Sequence, residues 1–190
     1  MFALEKAISA INNEGIVVFP TDTLYGILGS AFSKKAVERI YGVKGRNTKK
    51  PLIVLTSKIS GLKKFGIREI PKELKKIWPG KVTVILPTKK FPYIHRGSNS
   101  IAFRIPKDKN LLKLLAKTGP LVAPSANPEG KPPARNIKEA KKYFGDNIDL
   151  YVAGESKSGK PSTIVKYQKG RWKLIREGAV GGEKLKTLLQ

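Results

Sequence analysis

The feature that most constrains the fold of this chain is a continuous apolar run, IVVF, at residues 16–19. Such a run, without alternating polar residues, is typical of a strand buried on both faces of a sheet. Pro20 ends the run, and three short polar side chains follow at Thr21, Asp22 and Thr23. In open α/β sheets ligands bind where strands end, so this is the first candidate position for a site.

Further apolar runs alternate with helix-like segments. The predicted strands are residues 16–19, 52–55, 82–86, 101–105, 121–123, 150–153, 163–167 and 172–175. The predicted helices are residues 4–12, 34–41, 72–77, 110–116 and 137–144, with a short one from Glu183. Some strands near the C-terminus follow one another without a helix. The pattern predicts an α/β protein with a twisted, open, mixed parallel and antiparallel sheet flanked by helices.

The composition bounds the size and class of the protein. At 190 residues, with 40% hydrophobic and 27% charged residues, we expect a single soluble domain over residues 1–190. No apolar run approaches the roughly 18 residues of a membrane span, and residues 1–15 lack a signal-peptide pattern, so we expect a cytoplasmic protein without membrane contact.

The absence of cysteine excludes disulfides, thiolate metal sites and a cysteine nucleophile. His95 is the single histidine of the sequence, which excludes a metal site built from several imidazoles. A serine–histidine–aspartate triad would need His95, but no G-x-S-x-G motif accompanies it. We therefore interpret His95 as a solvated loop residue.

The charge of the chain is strongly positive. Lysine and arginine total 38 against 14 acidic residues, which gives a formal net charge of +24. A chain this basic is attracted to polyanions, and we expect contact with nucleic acid. The alternative is a lysine-rich surface that serves solubility or heat tolerance, although heat tolerance usually adds glutamate as well.

Two polar segments next to predicted strands are candidate ligand contacts. Lys44, Arg46 and Lys50 cluster before the strand at residues 52–55, and their cations suit phosphate or carboxylate groups. Ser125 and Asn127 follow another apolar run and carry short side chains that both donate and accept hydrogen bonds. Taken alone, the first segment can equally be an ordinary basic loop, and the second is more typical of an ordinary polar turn.

Three further features of the sequence could take part in ligand binding: Arg104, Trp78 and residues 154–160. Arg104 lies in an otherwise apolar strand, so we expect an anionic ligand or an acidic partner to meet its charge. Trp78 is interpreted as a core residue rather than as a platform for a nucleic-acid base. The segment at residues 154–160, GESKSGK, approaches a phosphate-binding P-loop, but Pro161 replaces the required Ser or Thr and a strand follows instead of a helix. We reject a P-loop there, and keep a flexible loop beside a nucleotide as the alternative.

Taken together, eight segments in order resemble the YrdC/TsaC family of threonylcarbamoyl-AMP synthases over nearly the whole chain. The segments are PTDTLYG (20–26), KGR (44–46), KPLI (50–53), WPGKVT (78–83), FRIP (103–106), SAN (125–127), STI (162–164) and LIREG (174–178). The resemblance implies a YrdC-like fold in its short, single-domain form. It also implies formation of threonylcarbamoyl-AMP and pyrophosphate from L-threonine, bicarbonate and ATP, for modification of an adenosine in tRNA by partner threonylcarbamoyl transferase proteins.

The resemblance also implies a role for individual residues. Those expected to border threonine are Thr23, Arg104, Ala123 and Ser162. Those expected to border ATP are Arg46, Lys50, Ser100, Ser125, Asn127 and Arg176. Lys44 and Arg46 would be the catalytic residues, acting by charge stabilisation without a nucleophile. Acidic residues are few around these motifs, so Mg²⁺ is expected to arrive on the ATP phosphates rather than in a protein metal site.

The chain departs from the long members of that family at two positions. Those members carry a histidine near the position of Leu55 and a serine near that of Pro133, and neither contact is carried over. Two other functions therefore stay open. One is an RNA-binding protein of this fold, and the other is a carbamoyl-adenylate enzyme that uses a different carbamate substrate.

Overall fold

The apolar run before Pro20 forms one of nine strands of a single sheet in the computed structural model, which describes residues 2–154 and 159–189. The strands are β1 Val17–Phe19, β2 Gly26–Ser30, β3 Ile53–Leu55, β4 Val82–Pro87, β5 Ser100–Arg104, β6 Leu121–Val122, β7 Leu150–Tyr151, β8 Thr163–Gln168 and β9 Arg171–Arg176. Their spatial order is β7-β1-β2-β6-β3-β5-β4-β8-β9. The pairs β1–β7, β3–β5 and β4–β8 are parallel and the other neighbours are antiparallel, which confirms the mixed sheet.

The helices are α1 Phe2–Asn12, α2 Lys34–Lys44, α3 Leu74–Ile77, α4 Pro92–His95, α5 Lys109–Thr118, α6 Ile137–Phe144 and α7 Gly182–Leu189, with 3₁₀ turns at Ile59–Phe65 and Gly145–Asn147. The predicted bounds of α6 are confirmed. Asn136 caps this helix by accepting a hydrogen bond from the amide of Glu139 at 2.9 Å, as its sequence signature indicates. The short helix α4 was not predicted, and the segment predicted at residues 72–77 is an α-helix only over its last four residues, Leu74–Ile77.

One strand was missed. The segment GILGS at residues 26–30 forms β2, which pairs antiparallel with β1 and with β6. Two glycines and a serine lower its intrinsic strand preference, so local sequence gives little signal. Its place in the sheet depends on burial between two other strands. One is β1, which is close along the chain, and the other is the distant β6, where Val122 pairs with Gly29.

Two parts of the sheet differ in how their faces are covered. We call β7, β1, β2 and β6 the covered half: Val17 and Phe19 pack with α1 and α5, while Val18 packs on the opposite face in the cluster that contains α2. We call β3, β5, β4 and β8 the open half. There one face is part of the core, through residues such as Phe103, and the other borders a cavity, through residues such as Ala102.

Candidate active site

The open half of the sheet forms the floor of a cavity of about 250 Å³. The side chains that point into it alternate with core residues along each strand, as in Val82-Thr83-Val84, because successive residues of a strand face opposite sides. The polar wall residues are Thr21, Thr23, Tyr25, Arg46, Thr83, Arg104, Ser125, Ser162 and Arg176. The cavity therefore combines hydroxyl groups with three guanidinium groups, which suits a polar ligand with several negative charges.

Arg104, at the end of β5, is 4% exposed and pairs with an equally buried acid. Its Nη1 donates to Asp22 Oδ1 at 2.5 Å, and its Nη2 donates to the hydroxyl of Thr23 at 3.3 Å. The second oxygen of Asp22 accepts the backbone amide of Lys107 at 3.1 Å. Among the described residues, Arg104 Nε has no hydrogen-bond partner. The prediction that an acidic partner or ligand meets this charge is confirmed by Asp22, which orients the guanidinium at the cavity wall.

Two pairs of hydroxyl groups line the same cavity. Thr21 and Thr23 share a hydrogen bond of 3.1 Å in the turn after β1, and Thr21 also donates to the carbonyl of Leu24 at 2.7 Å. Across the floor, Thr83 and Ser162 share a hydrogen bond of 2.8 Å. A hydroxyl group can both donate and accept a hydrogen bond. Each of these hydroxyl groups can therefore replace its bond to the other hydroxyl with a hydrogen bond to a bound ligand.

Lys44, the last residue of α2, is 3% exposed and does not line the cavity. Its Nζ donates to the carbonyl oxygen of Ser125 at 2.5 Å and to that of Asn127. Burial, with a further contribution from the nearby Arg46, lowers the pKa of Lys44 to about 7. The ammonium thus holds the backbone of the loop that carries Ser125. Its predicted role in charge stabilisation stays a prediction.

Arg46 and Lys50 lie in the loop after α2, which begins at Gly45 in the left-handed conformation, with a φ of 54°. Arg46 lines the cavity and donates from Nη2 to the carbonyl of Pro51 at 3.1 Å. Lys50 is more exposed and forms an ion pair with Glu129 instead of facing the cavity. The side chains of Arg46 and Lys50 therefore point to different neighbours, Arg46 to the cavity and Lys50 to Glu129.

The loop after β6 is held against β2 and presents Ala123 and Ser125 to the cavity. Ser125 Oγ donates to Asn127 Oδ1 at 2.6 Å, and the amide group of Asn127 donates to the carbonyl of Lys131 at 2.7 Å. Asn127 therefore does not line the cavity, and its side chain fixes the position of the serine hydroxyl.

The remaining predicted contacts come from the C-terminal strands and from the start of β5. Arg176 donates from Nη2 to the carbonyl of Ser162 at 2.8 Å, and burial lowers its pKa below the usual value for arginine. Ser100 lies beside a separate hollow with Lys166 and Tyr167, outside the cavity. Ser100, Ala102 and Arg104 occupy every second position of β5 and therefore face the same side of the sheet. Ser100 thus lies on the face that borders the cavity, although outside the cavity itself.

The structure brings seven of the predicted site residues to one cavity: Thr23, Arg46, Arg104, Ala123, Ser125, Ser162 and Arg176. It leaves Lys44, Lys50, Ser100 and Asn127 outside the cavity wall. From the sequence alone, no role was assigned to Thr83 or Glu129. Asp22 was named as a polar residue, but its ion pair with Arg104 was not predicted. The alternation around Thr83, a hydroxyl between two valines, is the signal that could have identified it.

Two interpretations of single residues have different outcomes. Trp78 is 5% exposed within the core, which confirms its structural role. The interpretation of His95 as solvated is wrong: its side chain is buried at the end of α4, where Nδ1 accepts the amide of Gly97 at 3.2 Å. The loop folds back into a helical turn, which a short polar segment does not reveal.

The segment that resembles a P-loop falls mostly outside the described residues, which omit 155–158. Its ends contact residues of the cavity wall: the hydroxyl of Tyr25 donates to the carbonyl of Gly154 at 2.7 Å, and a Cβ at Gly159 would lie 2.2 Å from the carbonyl oxygen of Thr23. The strand β8 follows, as expected, so no helix N-terminus is available there for phosphate.

Within residues 2–154 and 159–189, no group of three or more His, Asp or Glu side chains is placed to hold a metal ion. None of the helices in these ranges is long and apolar enough to cross a membrane.

The chain is similar to known proteins over most of its length. The Sua5/YciO/YrdC family, described as "Telomere recombination", matches residues 9–178. A threonylcarbamoyl-AMP synthase of Pyrococcus abyssi (strain GE5 / Orsay) is 32% identical over 182 residues, which cover 92% of this chain and 53% of that protein. A threonylcarbamoyl-AMP synthase of Marinobacter nauticus is 34% identical over 160 residues, which cover 80% of this chain and 84% of that one.

A solved structure has the same fold. The crystal structure of P. abyssi Sua5 complexed with L-threonine matches with a TM-score of 0.91 at 30% identity, covering 98% of this chain and 57% of that chain. The chain thus spans little more than half the length of the P. abyssi protein.

Proposed function

Because the chain belongs to the Sua5/YciO/YrdC family, we propose that it is a threonylcarbamoyl-AMP synthase that uses L-threonine, bicarbonate and ATP. The observation that carries this proposal is the buried Arg104 at the cavity wall, among hydroxyl groups that suit an amino acid with a carboxylate and a hydroxyl group. The relative with the same fold that is complexed with L-threonine supports it. Arg46 and Arg176, at the same cavity, suit the phosphates of ATP.

The proposed chemistry needs no side-chain nucleophile. Bicarbonate takes up a proton and loses water to give carbon dioxide. The threonine amine attacks the carbon of carbon dioxide, and the nitrogen then releases a proton. An oxygen of the resulting carbamate attacks the α-phosphorus of ATP, the bond to the bridging oxygen breaks, and pyrophosphate leaves. The adenylyl group moves to the carbamate, which would make the protein a nucleotidyltransferase. Its own residues would contribute positioning and positive charge, with Arg46 facing the phosphates.

Magnesium is proposed to enter with ATP. Two carboxylates close to arginines of the cavity wall are already committed, since Asp22 binds Arg104 and Glu129, near Arg46, binds Lys50. Mg²⁺ commonly binds through substrate phosphates and one or two carboxylates. The product would pass to threonylcarbamoyl transferase proteins that modify tRNA, and the cytoplasm is the proposed location because ATP and tRNA meet there.

The activity can be tested directly with purified protein. With ATP, Mg²⁺, bicarbonate and L-threonine it should form threonylcarbamoyl-AMP and pyrophosphate, and omission of any one should stop the reaction. Serine should react less well but still measurably, since one methyl group contributes about 1 to 3 kcal/mol of discrimination. Pyrophosphate release that does not depend on threonine, but depends on another amine, would favour the enzyme with a different carbamate substrate.

A second proposed role is contact with tRNA or duplex RNA. The lysines of the basic stretches are exposed and none lines the cavity: Lys63, Lys64, Lys72, Lys75, Lys76, Lys89, Lys90, Lys138, Lys141 and Lys142. We expect RNA to bind with little sequence preference and with an affinity that falls steeply with salt, with a log–log slope of about −0.7 to −0.9 per phosphate contact.

A salt series of RNA binding, with and without saturating ATP, tests this role. ATP should leave RNA bound, because the lysines lie off the cavity. RNA binding that is absent at low salt, or insensitive to salt, would assign the lysines to solubility or heat tolerance. RNA binding without any synthase activity would instead support the purely RNA-binding protein.

A further inference from the structure

A carboxylate from the loop between β6 and α6, that of Glu129, lies against the basic loop that follows α2. Glu129 Oε2 accepts the backbone amide of Asn47 at 2.5 Å, and its Oε1 binds the ammonium of Lys50. The backbone amide of Glu129 donates to the carbonyl of Lys44 at 2.8 Å, which fixes the position from which its side chain extends. One anionic group is therefore held by a backbone N–H and a lysine, the donor set that phosphate oxygens also use in proteins.

The loop that binds the Glu129 carboxylate also contributes to the cavity wall. The loop between Lys44 and Lys50 places Arg46 in the cavity wall, and the positive charge of Arg46 acts on Glu129. The hydrogen bonds from Lys50 and Asn47 hold the pKa of Glu129 below its usual range, so the group is ionised at neutral pH. Asn47 and Lys50 are exposed and the Glu129 side chain is 28% exposed, so an incoming anion can reach the Asn47 amide and the Lys50 ammonium from solvent.

We propose that Glu129 occupies an anion subsite, formed by the Asn47 amide and Lys50, which a polyphosphate must take over when it binds. The assignment of that polyphosphate to ATP rests on the proposed function. The exchange also accounts for the orientation of Lys50, which faces Glu129 and not the cavity in this structure. Glu129 would then weaken polyphosphate binding by competing for the cations that a phosphate needs.

The test is the affinity for inorganic tripolyphosphate and for ATP of the Glu129→Gln variant, measured by calorimetry at low ionic strength. Glutamine keeps an oxygen that can accept the Asn47 amide but lacks the charge. We expect tripolyphosphate to bind about 3- to 10-fold tighter than to the unaltered protein, with a smaller gain at high salt. Glu183→Gln is the matched control, since it removes one exposed acid that pairs with Lys186, and it should change the affinity less than about twofold.

A second variant locates the effect. In a Lys50→Met background, Glu129→Gln should no longer tighten binding, because the shared partner is gone. An affinity that is unchanged or weaker in Glu129→Gln, or a gain equal to that of Glu183→Gln, would overturn the exchange and make Glu129 a fixed link between two loops. If tripolyphosphate binding tightens as expected but ATP binds to none of these proteins, the subsite stands and the proposed use of ATP fails.

Discussion

The covered and open halves of the sheet are built from similar apolar residues but differ in what their second face contacts. In the covered half, all three residues of β1 are buried, because helices lie on both faces. In the open half, β5 and β8 alternate between buried and partly exposed positions. The residues that face the cavity there, instead of a helix, include Thr83, Ala102 and Ile164. A strand of an α/β sheet that alternates between buried and partly exposed residues thus indicates a face that no helix covers.

Breaking the link between the two halves should have the largest effect on stability. Asp22, in the turn after β1, holds Arg104 of the open half, and both are almost fully buried. Asp22→Ala leaves a buried guanidinium without its counter-ion, which typically costs about 3 to 5 kcal/mol of unfolding free energy. Urea denaturation measures this loss. An effect as small as that of Glu183→Ala, which removes an exposed pair, would show that the pair contributes little.

Matched truncations on the two halves should differ in size. Leu114 of α5 is fully buried against the covered half, so Leu114→Ala should cost about 2 to 5 kcal/mol of unfolding free energy. Ile164 of β8 faces the cavity, and Ile164→Ala should cost clearly less because solvent or ligand already borders its side chain. Thermal or urea unfolding of both variants decides the matter, and equal losses would contradict the distinction between the halves.

Removal of a single cation from the open half should affect catalysis more than stability. Arg46→Ala should lower kcat/KM about tenfold or more, since a charge-assisted hydrogen bond contributes roughly 1.5 to 3 kcal/mol. Lys58→Ala removes the same charge from an exposed position outside the cavity and is the control. Steady-state kinetics with ATP as the varied substrate provides the measurement. Small and equal effects of both substitutions would place the Lys44-Gly45-Arg46 segment outside the mechanism.

The smallest expected effect, measured per pH unit, concerns the buried Lys44 behind the site. The pKa of Lys44 is lowered to about 7 from an ordinary value of 10.5, so between these values the unfolded chain binds more protons than the folded one. The free energy of unfolding attributable to Lys44 should therefore rise with pH across this range, by at most about 1.4 kcal/mol per pH unit. Below about pH 7 its destabilising contribution is complete.

Urea denaturation from about pH 6 to about pH 10 compares the protein with Lys44→Met. The stability difference between the two should change in favour of the protein with lysine as the pH rises, and Lys58→Met should show no such trend. A difference that stays constant with pH would mean that Lys44 remains charged when folded.

The parts of the fold that sequence predicts are those with strong local signals. The apolar run that forms β1 and the capped helix α6 are examples, because burial on both faces and an Asn cap act over a few residues. The strand β2 and the buried His95 are counterexamples. Both are determined by neighbours that the local sequence does not specify, such as the β2–β6 pairing of Gly29 with Val122.

The site divides in the same way. The segments that resemble a known family located Thr23, Arg46, Arg104 and Ser125, which the structure brings to one cavity. The sequence did not predict which way these side chains point. Lys44 binds backbone carbonyls, and Asp22 binds Arg104, which is 82 positions further along the chain. Charges of opposite sign are numerous in any sequence, and only the folded geometry selects which two are paired.

The long separations within the cavity wall have a consequence for folding. Asp22 and Arg104 meet only after β1 and β5 have joined the same sheet, and Ser162 meets Thr83 only after β8 has paired with β4. No fragment that lacks one of these strands carries the complete wall. A ligand that spans the wall therefore binds the native state and not the unfolded chain. At about 100 times its Kd such a ligand adds about 2.7 kcal/mol to stability, so the melting temperature becomes a direct readout of occupancy.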